Sequence, residues 1–372
     1  MADNPITVPL PADLPENWTY GQTVAPTGEE VGLSKQHGYN YLTEQANATQ
    51  RAVKEIGEAF SALYGSGDIV PLKNGGTGAK TPQQALFNLG AEVRPTLLRN
   101  GFFIGGGSQK GAGFFPINQR GKTSYTDGYS IDGWKVTGGG TLTVKDDCIE
   151  LEATSGSLAT LECAVEAPSK YSGKILTFSA LAERVSGTEY CYITNIFDTY
   201  KKDAAIPDEK GFCVLTDTAG TLTAALRFVF VCGKGCKIRL YAAKMEEGDF
   251  HTLGWMDKSG LPYLFVGPKF GGVLSECQRY LFKVGMNNAW GYADSSSVAY
   301  LFVPTPVTMR SEPVWSGSIS KLYPFDGNSV TNVTVWSLSD GMVCLQVQGT
   351  GFTPGKVYSV SEVSDGFLSA EL

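Results

Sequence analysis

The stretch Asn287-Asn288-Ala289-Trp290-Gly291-Tyr292-Ala293-Asp294 gathers amides, aromatic rings, a glycine and a carboxylate. Adaptable polar groups beside rigid aromatic faces suit recognition of a ligand, and the mix predicts a loop. Other residues have catalytic potential. Adjacent acids occur at Asp146-Asp147, Asp208-Glu209 and Glu246-Glu247, and paired carboxylates are the tools of glycoside hydrolysis. Neighbours on a strand point to opposite faces, and nothing in the sequence marks one acid as buried, which is what would raise its pKa. The histidines are His37 and His251. His37 precedes a helical stretch. His251 sits in Phe250-His251-Thr252-Leu253, with no G-x-S-x-G turn to supply a nucleophile. The run Gly75-Gly76-Thr77-Gly78-Ala79-Lys80-Thr81 resembles a phosphate loop only loosely, because Ala79 and Asn74 stand where that loop needs glycine. The expectation is therefore a protein without catalysis, metal or cofactor.

Composition narrows the field further. The chain has 372 residues and a net charge of −7. That balance argues against coating nucleic acid, which needs a basic excess. With 42% hydrophobic residues it can bury sizeable cores. No run of apolar residues is long enough to span a bilayer, so no membrane insertion is expected. The opening MADNPITVPL lacks a basic start, an apolar core and a cleavage site, which predicts no signal peptide. Eight cysteines lie far apart, mostly inside apolar runs. There they act as small hydrophobes in a protein made in a reducing cytosol. Cys232 and Cys236 flank a Gly233-Lys234-Gly235 turn and come near each other across a hairpin, but the further ligands zinc requires are absent nearby.

Residues 1–32 are proline-rich without an apolar period and read as an extended arm, ordered only against a partner. In 33–64, the positions Tyr39, Leu42, Ala46, Thr49, Val53, Ile56, Phe60 and Leu63 alternate spacings of three and four. This is an a/d heptad seam, with Thr49 its weak point, and predicts a coiled coil of about 37 Å. The alternative is one amphipathic helix packed on its own domain. Residues 65–96 are a Gly-rich linker, with a short helix expected at Pro82–Leu89.

From residue 97 the pattern is β. Thr141–Val144 and Cys148–Leu151 predict a hairpin across Asp146-Asp147. Further strands are expected at Leu158–Val165, Lys174–Leu181, Tyr190–Phe197, Leu222–Val231 and Lys237–Ala243. Many short strands with Gly-rich turns predict a β-sandwich over 97–280. A helix is expected near Ser275–Lys283. A small β tip follows over 281–372, with strands at Val298–Val303, Val330–Leu338, Val343–Gln348 and Lys356–Val363. The predicted fold is mainly β: an N-terminal coiled coil, whose strand number the mixed aromatic and β-branched core residues leave open (trimeric on the resemblance that follows), a jelly-roll-like β-sandwich and a C-terminal β-sandwich tip.

NGGTGAKTPQQALFNLGA at Asn74–Ala91 is similar to a segment common in bacteriophage tail fibre proteins. LLRNGFF at Leu97–Phe103 and INQRGKTSYTDGYSIDGW at Ile117–Trp134 resemble the opening of a carbohydrate-binding-like sandwich module. AAKMEEG at Ala242–Gly248 and ECQRY at Glu276–Tyr280 resemble its close, and FLSAEL at Phe367–Leu372 resembles the end of a small tip domain. Where the family often has Asp-Arg-Trp, this chain has Asp132-Gly133-Trp134.

The resemblance implies a homotrimer. It implies a phage baseplate or tail protein as partner of the N-terminal arm, and a bacterial surface glycan or protein as receptor. It places the protein in a virion tail, assembled in the bacterial cytoplasm. Sugar sites offer aromatic faces and a few polar groups. In the sandwich the stacking candidates are Tyr125, Tyr129, Trp134 and Trp255. In the tip they are Trp290, Tyr292, Trp315, Tyr323 and Trp336, with Asn287, Asn288 and Asp294 as polar partners. The coil is assigned to Tyr39, Leu42, Ala46, Val53, Ile56, Phe60 and Leu63. The expected function is multivalent, non-catalytic attachment. The alternatives are a tailspike-like glycan depolymerase and a bacterial surface adhesin.

Overall fold

A computed structural model describes residues 19–24, 30–34, 49, 51–56, 58, 77, 85, 94–104, 115–198, 202–257, 259–265 and 269–371. The chain divides into two compact units, Met1–Gly90 and Ala91–Leu372.

In the first unit, β1 (Thr19–Val24) pairs antiparallel with β2 (Glu30–Ser34). The proline-rich arm therefore includes a strand pair, and β2 runs past the boundary expected at residue 32. Thr49, residues 51–56 and Glu58 are helical, and Lys54 and Glu58 form an i,i+4 ion pair at 3.9 Å. Val53 and Ile56 are exposed on this helix. Tyr39, Leu42, Ala46, Phe60 and Leu63 lie outside the described residues, and no coiled coil is shown. Of the Pro82–Leu89 helix only Ala85 is described, and it is helical.

The second unit begins with twelve strands: β3 (Ser124–Tyr125), β4 (Gly128–Tyr129), β5 (Lys135–Thr137), β6 (Gly140–Val144), β7 (Ile149–Ala153), β8 (Ala159–Ala164), β9 (Ile175–Ser186), β10 (Tyr192–Phe197), β11 (Asp203–Ala205), β12 (Gly211–Thr218), β13 (Leu226–Cys232) and β14 (Lys237–Glu247). They form two six-stranded sheets, in the orders β11-β10-β13-β8-β5-β4 and β12-β9-β14-β7-β6-β3. The chain switches sheets repeatedly, as in a jelly roll. Alternation explains the local structure. On β8, Ala159, Leu161 and Cys163 are buried while the residues between them are half-buried, the two-residue period of a strand with one core face. The predicted hairpin forms, with Leu142 opposite Leu151 and Val144 opposite Ile149. Inward side chains of both sheets, among them Leu161, Phe228 and Phe230 against Leu151, Phe178 and Ile238, make one core.

A short hairpin, β15 (Gly254–Met256) with β16 (Pro262–Leu264), follows, and then helix α1 (Phe270–Gln278). The helix expected at 275–283 thus starts earlier and ends sooner. Residues 281–283 are a strand instead, because buried Leu281 pairs with Ser369 in the tip sheet.

The tip contains β17 (Leu281–Lys283), β18 (Trp290–Ala293), β19 (Val298–Pro304), β20 (Val314–Tyr323), β21 (Ser329–Ser339), β22 (Met342–Thr350) and β23 (Val357–Ser369). The order is β17-β23-β18-β19-β22-β21, with β20 also paired to β23. The outer strands β20 and β21 approach each other, so the sheet curls around its own core of Ala293, Ala299, Leu301, Leu322, Leu345 and Tyr358. Strands β1–β5, β11, β12, β15–β18 and β20 were not anticipated from the sequence, the longest of them being β12 and β20.

Sandwich and tip share a polar seam. Gln119 Nε2 donates to the Leu281 carbonyl at 2.6 Å and to Asp132. Arg120 pairs with Glu371, and Tyr280 donates its hydroxyl to Glu166 at 2.6 Å.

Candidate functional site

Strand β18 reads Trp-Gly-Tyr-Ala, and its burial alternates. Gly291 and Ala293 face the core, and there is no room for anything larger at 291, where a Cβ would meet the Tyr300 carbonyl oxygen at 1.9 Å. Trp290 and Tyr292 therefore stand together on the outer face, 53% and 47% exposed. The loop expected over 287–294 is a strand at its centre. Only its flanks are turns, where Asn287 adopts φ 63° and donates its backbone N–H to Val360.

The neighbouring strands extend this face. Residues opposite each other in register share a side of the sheet. Phe302 lies opposite Trp290, and Tyr300 opposite Tyr292. The Phe302 ring is 6.4 Å from both the Trp290 and Tyr292 rings. Tyr300 lies 5.6 Å from Trp336, which is 59% exposed on β21. Five rings from three strands thus cover one side of the tip. Amides border them: Gln346 donates to the Tyr300 hydroxyl at 3.3 Å, and Asn332 donates to Gln348 at 3.3 Å. Asn287 and Asn288 are exposed at one end of β18, and Asp294 at the other.

Trp290, Tyr292 and Trp336 were anticipated, whereas Tyr300 and Phe302 were not singled out. The signal was available in Val298–Val303, where the two-residue period puts both rings on one face. Trp315 is half-buried and donates its indole N–H to Gly317. Tyr323 is exposed against Phe325.

The sandwich candidates fare differently. Trp134 is 0% exposed. Its ring packs against Phe103, Phe228 and Phe230, and its Nε1–H donates to the carbonyls of Arg99 and Asn100. It fills the core and presents no face to a sugar. Tyr125 is likewise buried, its hydroxyl bonded to Asn118. Trp255 is half-buried, stacked on exposed Tyr263 at 5.4 Å and packed on Phe265. Tyr129 is half-buried beside Arg120 and Lys135.

The adjacent acids differ in burial. Asp146, Asp147, Asp208 and Glu209 are exposed. Glu246 corrects the expectation, because it is fully buried while Glu247 is exposed. Its carboxylate accepts the Thr252 N–H and hydroxyl and pairs with Lys244 at 3.2 Å, so it is neutralised in place. Burial and Lys244 hold His251 down to about 4, and its ring lies against Phe212. A cavity of about 400 Å³ beside this cluster is lined mainly by apolar side chains such as Leu98, Phe102, Leu253, Phe265 and Val273. Asp132 is buried, which pushes its carboxyl up to about 7 although Gln119 donates two hydrogen bonds to it. Gln119, which it holds, reaches the tip at the Leu281 carbonyl.

All eight cysteines are buried free thiols. The Cys232 thiol approaches the Cys236 carbonyl at 3.1 Å across the expected turn. Among the described residues, no cluster of three His, Cys, Asp or Glu is placed to hold a metal, and no helix is long and apolar enough to cross a membrane.

No family model matches the chain, and no curated protein matches it. Similar solved structures include the enzymatically active domain of a tailspike protein of bacteriophage CBA120. It is 13% identical over 31% of this chain and 19% of that one, with a TM-score of 0.25. A family 29 carbohydrate-binding module complexed with mannohexaose is 15% identical over 34% of this chain and 89% of its own, with a TM-score of 0.24. A family 22 xylan-binding domain from Paenibacillus barcinonensis is 10% identical over 42% of this chain and 97% of its own, with a TM-score of 0.25. The match takes in less than a fifth of the tailspike chain. At these TM-scores the likeness carries no argument about this chain, whose fold rests on the sheets described above.

Proposed function

We propose that the protein is a tail fibre protein of a phage or tail-like particle that attaches to a bacterial surface glycan without cutting it. The observation that carries this reading is the outer face of the tip, where Trp290, Tyr292, Tyr300, Phe302 and Trp336 stand beside Gln346, Gln348 and Asn332. Monomeric proteins keep few such aromatic patches uncovered without a reason. Sugar rings stack on such faces, and amides bond their hydroxyls.

Attachment would be multivalent. A single sugar site of millimolar affinity supplies only about −4 kcal/mol. Linking three through a coil at 33–64 raises avidity by roughly 10²–10⁴. The exposed seam residues Val53 and Ile56 suit such a coil. The N-terminal arm would join a baseplate or tail protein, and the working location would be the virion tail. A depolymerase would need paired acids with one held protonated; of the adjacent acids four are exposed and Glu246 is paired with Lys244, while the buried acid with a raised pKa, Asp132, is bound through both oxygens by Gln119.

Binding of the full-length protein to host surface polysaccharide, measured with and without Trp290→Ala and Tyr292→Ala, tests the reading. Binding that falls with both substitutions, with no reducing ends released, is the expected result. Unchanged binding, or sugar release at enzymatic rates, overturns it. Sedimentation should give a mass near three chains, and a monomer at micromolar concentration would remove the multivalent part.

A further inference from the structure

A second cavity, of about 390 Å³, opens where sandwich and tip meet. Its walls carry Arg99, Lys135, Arg227 and Arg310 against only Glu162 and Glu166. Both acids are already engaged. Glu162 pairs with Arg227 at 3.4 Å. Glu166 pairs with Arg310 at 3.7 Å and with Arg279 at 3.6 Å, and it accepts the Tyr280 hydroxyl. Among the described residues, Arg99 and Lys135 have no ion-pair partner.

Arg99 is the unusual member. It is only 8% exposed, and its buried Nε has no hydrogen-bond partner. Its guanidinium lies 3.9 Å over the Tyr280 ring, a partial compensation for its charge. A buried guanidinium is normally matched by a carboxylate. Gly133 leaves room for it, because a Cβ there would crowd Arg99 Cβ and Nε at 3.3 Å. The lining also includes Tyr129 with Val165, Ala167, Pro168 and Leu226, and Tyr129 stands beside Lys135, its partner in register, so that an aromatic ring and a cation adjoin. The volume is that of a small-molecule site, typically ~300–1,000 Å³.

We propose that this cavity binds an acidic sugar unit of a surface polysaccharide. Arg99 takes its carboxylate or phosphate in bidentate fashion. Lys135 supplies the second cation, and Tyr129 packs against the ring. A bare inorganic anion would leave the apolar wall unused. This goes beyond the tip face, and neither site requires the other.

The test is calorimetric titration of the full-length protein with glucuronate, a hexose phosphate, glucose and inorganic phosphate. One of the two acidic sugars should bind and thereby identify the anionic group. Glucose and inorganic phosphate should bind at least about tenfold more weakly, a gap of about 1.4 kcal/mol. Raised salt should weaken the acidic sugar. Arg99→Gln and Lys135→Gln should each weaken it about tenfold or more, a loss of about 1.4 kcal/mol or more, and Trp290→Ala should leave it unchanged. Lys135 is half-buried on β5, so Lys135→Gln keeps the test valid if Arg99→Gln does not fold, as checked by thermal melting. Three outcomes overturn the proposal: no binding of either acidic sugar, inorganic phosphate binding equally well, or binding that survives Lys135→Gln. Loss on Trp290→Ala alone moves the ligand to the tip, leaving the proposed function standing and this site refuted.

Discussion

The sandwich and the tip differ in where their largest aromatic side chains lie. In the sandwich, Trp134, Phe178, Phe228 and Phe230 point inward and are fully buried between two sheets. In the tip, Trp290, Tyr292 and Trp336 point outward, while Phe352 and Tyr358 fill the core among Val, Leu and Ala side chains. The difference follows from geometry. Two opposed sheets leave a thick interior that large rings fill. The tip sheet curls on itself, and on β18 Gly291, where a Cβ would meet the Tyr300 carbonyl oxygen, and Ala293 take the core side. That leaves Trp290 and Tyr292 on the outer face. The teaching is that an aromatic count does not identify a binding surface, and that the size of the alternate residues does.

The sharpest break of this comparison is a matched pair of truncations. Trp134→Ala should destabilise the protein by about 3–5 kcal/mol in denaturant unfolding. Trp290→Ala should change stability by less than about 0.5 kcal/mol and lower polysaccharide binding instead. Equal stability losses would erase the distinction between the two regions.

The seam between the regions comes next. Arg120→Ala leaves Glu371, nearly buried, without its partner, and unfolding should register about 3 kcal/mol. Asp132 gives a pH signature there. Its native carboxyl is raised to about 7 by burial, so the native state holds its proton more tightly than the unfolded chain. Stability from this group is therefore full below about pH 4 and is lost as pH rises to about 7. Asp132→Asn should flatten the dependence in that window, as read by melts at several pH values. The smallest effect belongs to the exposed tip pair Lys321–Glu362, 2.8 Å apart, where Lys321→Ala should leave the melting temperature unresolved from wild type.

Much of the fold was legible because it depends on local patterning. The hairpin at 141–151 and the strands near 159–164, 175–186, 192–197 and 237–247 follow from alternation and turn residues alone. The misses have physical causes. Strand β20 is mostly exposed along its length and pairs only with the distant β23, so it lacks a one-sided apolar stripe. Strand β18 is four residues with a glycine inside, which reads as a turn. Trp290 and Tyr292 were found by chemistry, while the ring set they belong to depends on register with β19 and the arrangement of β21. The Arg99 cavity had no sequence signal, since its walls come from residues 99, 129, 133, 135, 162, 164–168, 224–227 and 310.

By itself the sequence determined the β character of residues 97–372, the heptad spacing of Tyr39–Leu63 and the aromatic–amide content of 287–294, because these are properties of short windows. Only the tertiary structure decided which aromatics are covered, and that a lone guanidinium and an aromatic wall meet at one junction. Burial depends on what lies opposite in space, and spacing along the chain carries no record of that.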